Sequence, residues 1–273
     1  MLYNYFGLGN RTENESRGES NRGVIRDYRI RFSRFFVSPT FERDIFGFVK
    51  LGAGPQYDQF RIDQASVGPK ISSDPNIRPS DYELNRYAGA RAFMNLGTQT
   101  SAANPRLGIH LNTEYSAFWQ LNNEGLSYRR LASELIFYVS PNLPFQLTLA
   151  GRLGGAHNFG DYRFWQANTL GTTTNLRGYR RTRFAGRSSV YANSEVRLEL
   201  FRFNAYLFPG SFGIMGLFDA GRVYTSKDRG GVRDLHTAYG GGVWVDILKR
   251  AVITGTVAHG EETLGLVQFS FLF

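Results

Sequence analysis

Apolar and polar residues alternate one for one along several long segments of this chain. In residues 107–119 the odd positions carry Leu107, Ile109, Leu111, Tyr115 and Trp119, and the even ones His110, Asn112, Glu114 and Ser116. Residues 145–153 set Phe145, Leu147, Leu149 and Leu153 against Gln146, Thr148 and Arg152. Residues 190–200 set Val190, Val196, Leu198 and Leu200 against Tyr191, Asn193, Glu195, Arg197 and Glu199. A period of two marks a β-strand whose faces meet different surroundings, and such lengths match a tilted strand crossing a bilayer. Read this way the chain holds about twelve strands, of the kind that build transmembrane barrels. They fall near 2–10, 26–37, 44–60, 85–97, 106–121, 127–140, 145–159, 189–203, 212–224, 237–248, 251–260 and 263–273.

A soluble sandwich also alternates, but its polar face meets bulk water and favours Lys, Thr and Ser. Here that face carries Glu, Arg, Asn, Tyr and Gly, which suits a crowded polar lumen. The links alternate as well. Residues 11–20, 61–84 and 160–188 are long and polar, whereas "SPTFER" and "PNLP" are tight. Long outer loops and short periplasmic turns are what transmembrane barrels show; "NNEGLS" is a short exception on the outer side. The expected fold is therefore all-β: one antiparallel transmembrane barrel domain over residues 1–273, with a long loop at 160–188.

Composition adjusts this picture modestly. Hydrophobic content is 42% and mean hydropathy −0.32, values that a barrel reaches because only every second residue need be apolar. No apolar run is long enough for a membrane-spanning helix. Phenylalanine stands at 23 positions and tyrosine at 15, an excess that fits interfacial girdles. The absence of cysteine excludes disulfides and thiolate metal sites, and fits an oxidising periplasm. A formal charge of +9 does not point to nucleic acid, because the arginines are spread through alternating strands. The opening "MLYNYFGLGN" lacks the basic and apolar regions of a signal peptide, so the expectation is a piece of a longer chain.

Charge matters most in "TTTNLRGYRRTRFAGR", residues 172–187. An arginine drawn into a narrow lumen loses hydration at a cost of several kcal/mol unless a carboxylate is paired with it. Its planar fork can take that carboxylate through two parallel bonds. Asp219 and Glu195 lie on the faces assigned to the lumen and are the acids available to such an arginine. Gly178 permits a tight turn, and Tyr179 can pack on the wall while its hydroxyl finds a partner. Arg180, Arg181, Arg183 and Arg187 read equally well as a solvated basic loop binding lipopolysaccharide phosphates.

The run "LRGYRRTRFAGR" with "YANSEVRLEL" and then "GLFDAGRVY" resembles the BamA/TamA-type outer-membrane assembly factors, which include bacterial surface antigen proteins and two-partner secretion transporters. The resemblance rests on Arg177, Gly178 and Tyr179, followed by Phe218, Asp219 and Gly221, and it is close from about residue 145 onward. It implies a loop folded into the lumen, with Arg177 tied to Asp219 and Glu195 nearby, in a barrel of the bacterial outer membrane. Phe269, Phe271 and the terminal Phe273 resemble the signal read by barrel-assembly machinery, with Gln268 where many such signals place glycine. Family barrels have about sixteen strands, so the chain would be the last three quarters of one, or a reduced barrel. POTRA domains or fused enzymes precede the barrel in the family, and its seam between first and last strands admits client strands. The implied function is insertion or translocation of proteins, with outer-membrane lipid, lipopolysaccharide, the assembly machinery and client proteins as partners.

Two other readings stay open: a passive diffusion channel, and a membrane anchor for a fused enzyme domain. For the channel, the polar face offers Arg29, Arg31, Arg91, Arg152 and Arg197 against Glu114, Glu134 and Glu195. Enzymatic activity is not expected. His110 is followed by "LNT" and lacks the His-x-Ser-Asn-Gly arrangement of the outer-membrane phospholipase; His157, His236 and His259 sit near loops. No His-x-x-x-His or carboxylate cluster has ligand spacing. No cofactor, metal or nucleic acid is expected.

Overall fold

The alternation becomes one continuous antiparallel sheet. The computed structural model describes residues 2–12, 27–64, 67–99, 104–122, 125–172, 175–204, 209–226, 228, 231, 233–248 and 250–271. Its strands are β1 (Leu2–Asn4), β2 (Arg29–Val37), β3 (Phe41–Ile45), β4 (Val49–Ile62), β5 (Asn85–Gln99), β6 (Gly108–Gln120), β7 (Ser127–Val139) and β8 (Leu147–Gly160). They continue with β9 (Asn168–Leu170), β10 (Phe184–Gly186), β11 (Ser188–Asn204), β12 (Pro209–Tyr224), β13 (His236–Ile247), β14 (Ala251–His259) and β15 (Thr263–Phe271). All but β9 and β10, which pair with each other, form a 13-stranded sheet running in chain order from β1 to β15. No described helix is long and apolar enough to cross a membrane.

β2 and β3 occupy one place in this order. Val37 pairs with Tyr57 and Phe41 with Ala53 in the same register, so both strands lie along one edge of β4. Pro39 and Pro55 lack the N–H that would continue the ladder between them. A side chain at Gly54 would meet the Pro39 carbonyl at 1.9 Å. The tight link expected at "SPTFER" is not the turn. It is an interruption inside a strand, and the turn is residues 46–48, where Phe46 and Gly47 adopt φ of 57° and 72°.

The strand expected at 2–10 also ends early. β1 stops at Asn4, and the chain leaves the sheet through Gly7 (φ 98°) and Gly9 (φ 116°). Gly9 then bridges to Ala185, and the Asn10 side chain both donates to Val223 O (2.7 Å) and accepts from Val223 N (3.0 Å). This segment therefore crosses from the first strands to the end of β12.

Large apolar side chains at alternate positions face outward, among them Ile109, Trp119, Phe137, Leu149, Val190, Val196, Phe218, Val243, Val257 and Val267. That is the lipid face of a transmembrane barrel. Inward positions line polar cavities. One of about 330 Å³ is lined both by Ile136 and Tyr138 of β7 and by Gln268 and Ser270 of β15, so the sheet curves round on itself. At the long-loop end the interior is apolar: Tyr5, Ile30, Phe32, Phe60, Ile62, Ile71 and Phe164 form one buried cluster. Arg29 and Arg31 alternate with the buried Ile30 and Phe32 and so face outward, not into the lumen as expected. The described residues of 161–187, the link from β8 to β11, fold back against the inner side of β12 and β13.

Candidate functional site

β11 and β12 build the wall of the site. Asn193 pairs with Asp219, and Glu195 follows two residues along the same face, so the two acids are diagonal neighbours pointing inward. Phe218 between them in the alternation faces outward, 49% exposed. Burying Asp219 completely, at 0% exposure, demands a partner. Arg177 supplies it. Its Nε donates to Asp219 Oδ2 at 2.8 Å, its Nη2 to Oδ1 at 2.6 Å, and its backbone N–H to Oδ2 at 3.0 Å. Its Nη1 donates to Glu195 Oε1 at 2.5 Å. Glu195 Oε2 is held in turn by Nε and Nη2 of Arg197. Burial disfavours the Arg177 charge, but the bonds to Asp219 and the field of Glu195 outweigh it, and its pKa is raised.

The neighbours of Arg177 fix the approach. Gly178 has φ 79°, and a Cβ there would lie 2.7 Å from the Gly260 nitrogen. A Cβ on Gly260 would in turn strike the Tyr179 ring at 2.5 Å. Tyr179 is buried, and its hydroxyl donates to Thr237 O at 3.0 Å. Leu170, Leu176, Tyr179 and Phe184 of the loop pack with Val223 and Ala238 of the wall. Gly221 leaves room for Leu170, whose Cδ1 would stand 3.1 Å from an added Cβ.

The other loop arginines divide. Arg180 bonds Glu262 (2.7 Å), and Arg183 bonds both oxygens of Glu261 (2.6 and 2.9 Å), in the turn between β14 and β15. Arg183 also donates to Thr12 and stacks over Phe184 and Phe6. Arg187 donates to the carbonyls of Asn158 and Gly160. Arg181 is exposed. Only Arg181 thus matches the solvated alternative.

Four asparagines seat the loop and the crossing segment that follows β1, a role the sequence did not reveal although Asn193 stood on a face assigned to the lumen. Asn168 accepts from Arg130 and donates to Arg187 O. Asn175 accepts from Gly171 N and donates to Thr169 O. Asn193 donates to Asn175 O, and Asn10 clamps Val223. Polar residues at positions due to be buried were the available signal.

Of the histidines, His157 Nδ1 lies 2.6 Å from Ser188 Oγ, directly across the β8–β11 pairing, and its ring abuts Phe159. His259 makes the same kind of cross-strand contact with Thr263. Phe269 is exposed and pairs with Ile253; Phe271 pairs with Ala251, and Phe273 lies outside the described residues.

Fold and site together define a transmembrane β-barrel with an inward arginine loop. No family model matches the chain, and no curated protein matches it. Among solved structures it is similar to BamA from Haemophilus ducreyi lacking POTRA domains 1–3, with a TM-score of 0.68 at 13% identity, over 90% of this chain and 56% of that one. The chain has the fold of the BamA-type barrel.

Proposed function

We propose that this chain is a bacterial outer-membrane barrel that inserts or translocates proteins, working without catalysis. The observation that carries the reading is the loop 161–187 seated inside the barrel, with Arg177 on Asp219 and Glu195. The likeness to a BamA barrel supports it at the level of fold. Lipid, lipopolysaccharide, assembly machinery and client barrels are the partners this reading implies. The test is reconstitution into vesicles with an unfolded client barrel. Faster client folding than in empty vesicles, reduced by Arg177→Ala, is expected; equal rates with and without the protein would count against insertion.

One observation favours a second reading. A cavity of about 720 Å³ lies beside the loop, lined by Arg91, Glu114, Arg130 and Glu134 among others. These four lie on the adjacent strands β5, β6 and β7, with Arg91 paired to Glu114, and a lumen walled by charged side chains suits a diffusion channel. Large, steady single-channel openings by the intact chain would support that reading.

A further inference from the structure

The outward face of the first strands changes character along its length. From the short-turn end to the long-loop end, β4 presents Leu51, Ala53, Pro55, Tyr57, Gln59 and Arg61. β2 presents Val37, Phe35, Ser33, Arg31 and Arg29 in the same direction, and β5 presents Met94, Ala92, Ala90, Ala88 and Arg86. The inward neighbours Ile30, Phe32, Phe60, Ile62, Asn85 and Tyr87 are buried, which fixes the arginines as outward. Hydrocarbon, then aromatic, then polar, then cation is the depth profile of one bilayer leaflet, with aromatics at the interface. The arginines therefore stand at headgroup depth on the side of the long loops.

They also stand together. Arg61 pairs with Ser33 and Arg86 with Gln59, so Arg31, Arg61 and Arg86 are successive diagonal neighbours, about 7–8 Å apart. Arg29 follows Arg31 on the same face, and Arg129 is exposed outward on β7. Like charges at this spacing repel. Asp63, whose amide bonds Arg31 O, stands opposite Arg31 on the same outward face and offsets part of that charge, and Glu83 is exposed nearby. The opposite flank differs: its outward positions towards the long-loop end include Phe159, Val190 and Tyr239, with no exposed Arg or Lys among the described residues of β8 and β11–β15 at that end. Every cation in the ridge is arginine, whose fork matches two phosphate oxygens.

We propose that Arg29, Arg31, Arg61 and Arg86 form a docking ridge for a phosphorylated glycolipid of the outer leaflet, its acyl chains lying on Phe35, Tyr57 and the apolar band below. The inference rests on the barrel spanning a membrane with its long loops outside, and is independent of whether it inserts proteins. The experiment compares the full chain with the Arg31→Gln/Arg61→Gln/Arg86→Gln variant and a milder Arg86→Gln variant. Each is mixed in detergent with bisphosphorylated lipid A, with dephosphorylated lipid A, or with inorganic phosphate as competitor, and retained lipid is counted by native mass spectrometry. The wild type should retain the phosphorylated lipid; the triple variant should retain it at least about tenfold more weakly, as expected for losing a hydrogen bond to a charged group. Arg86→Gln should fall between them, and an Arg202→Gln/Arg233→Gln/Arg250→Gln control should behave as wild type. Equal retention of dephosphorylated lipid, wild-type retention by the triple variant, or full displacement by millimolar phosphate would each overturn the ridge. The heat-shifted gel band of the same samples reports separately on the barrel.

Discussion

Arg177 is held by three hydrogen bonds to a carboxylate that water does not reach, and that sets the scale of its removal. Breaking a buried pair from one side costs about 3–5 kcal/mol, because the remaining charge is stranded. Arg177→Ala should accordingly lower the temperature at which the heat-shifted band is lost. Arg177→Lys should recover part of the loss, since it keeps the charge without the fork. Arg177→Ala/Asp219→Ala should be less damaging than the sum of its single variants, as coupled neighbours are. Gly178 gives an independent test. Gly178 and Gly231 both have positive φ, but only Gly178 has backbone within reach of a Cβ. Gly178→Ala should therefore destabilise more than Gly231→Ala, and the difference measures the close approach to Gly260. Alternation points Asp219 inward and a buried acid needs a cation, but Arg177 was singled out among the loop arginines by the Arg177-Gly178-Tyr179 motif and its family resemblance. The roles of Arg180 and Arg183 were not legible in the sequence. Their partners, Glu262 and Glu261, are remote in sequence and sit in a turn whose position over the loop only the curved sheet determines.

At the scale of elements, strand existence followed from period two, while strand ends were set by groups that alternation does not record. Pro39 and Pro55 interrupt pairing without ending the strand, so residues 38–43 read as a turn where β3 in fact begins. Gly7 and Gly9 take the chain out of the sheet, so a stretch expected to be strand becomes a strap over the loop. Arg29 and Arg31 face outward because the interior at that level is filled by Ile30, Phe32 and Phe60. The strap depends on Asn10, the residue that satisfies both backbone groups of Val223. Asn10→Ala should leave these buried groups without that partner, at a cost of about 1–3 kcal/mol. Hydrogen exchange at the Val223 amide should speed up in that variant while amides in β6 and β7 stay protected; unchanged exchange at Val223 would show that the strap is not held this way.

For the whole molecule, the seated loop divides the interior. Leu170, Leu176, Tyr179 and Phe184 fill the side next to β12 and β13, leaving the larger cavity towards β5–β8. Removing residues 171–183 should convert small, flickering conductance into larger and steadier openings in planar bilayers. Equal conductance before and after the deletion would mean that the loop does not obstruct the lumen.

Every acidic side chain described here as gripping the loop arginines comes later in the chain than the arginine it holds: Glu195, Asp219, Glu261 and Glu262. During synthesis the loop arginines emerge before any of these four acids, and two of the acids arrive only with the turn between β14 and β15. Closure of the interior thus waits for that turn, and a polypeptide halted at residue 259 should expose Arg180 and Arg183 to trypsin.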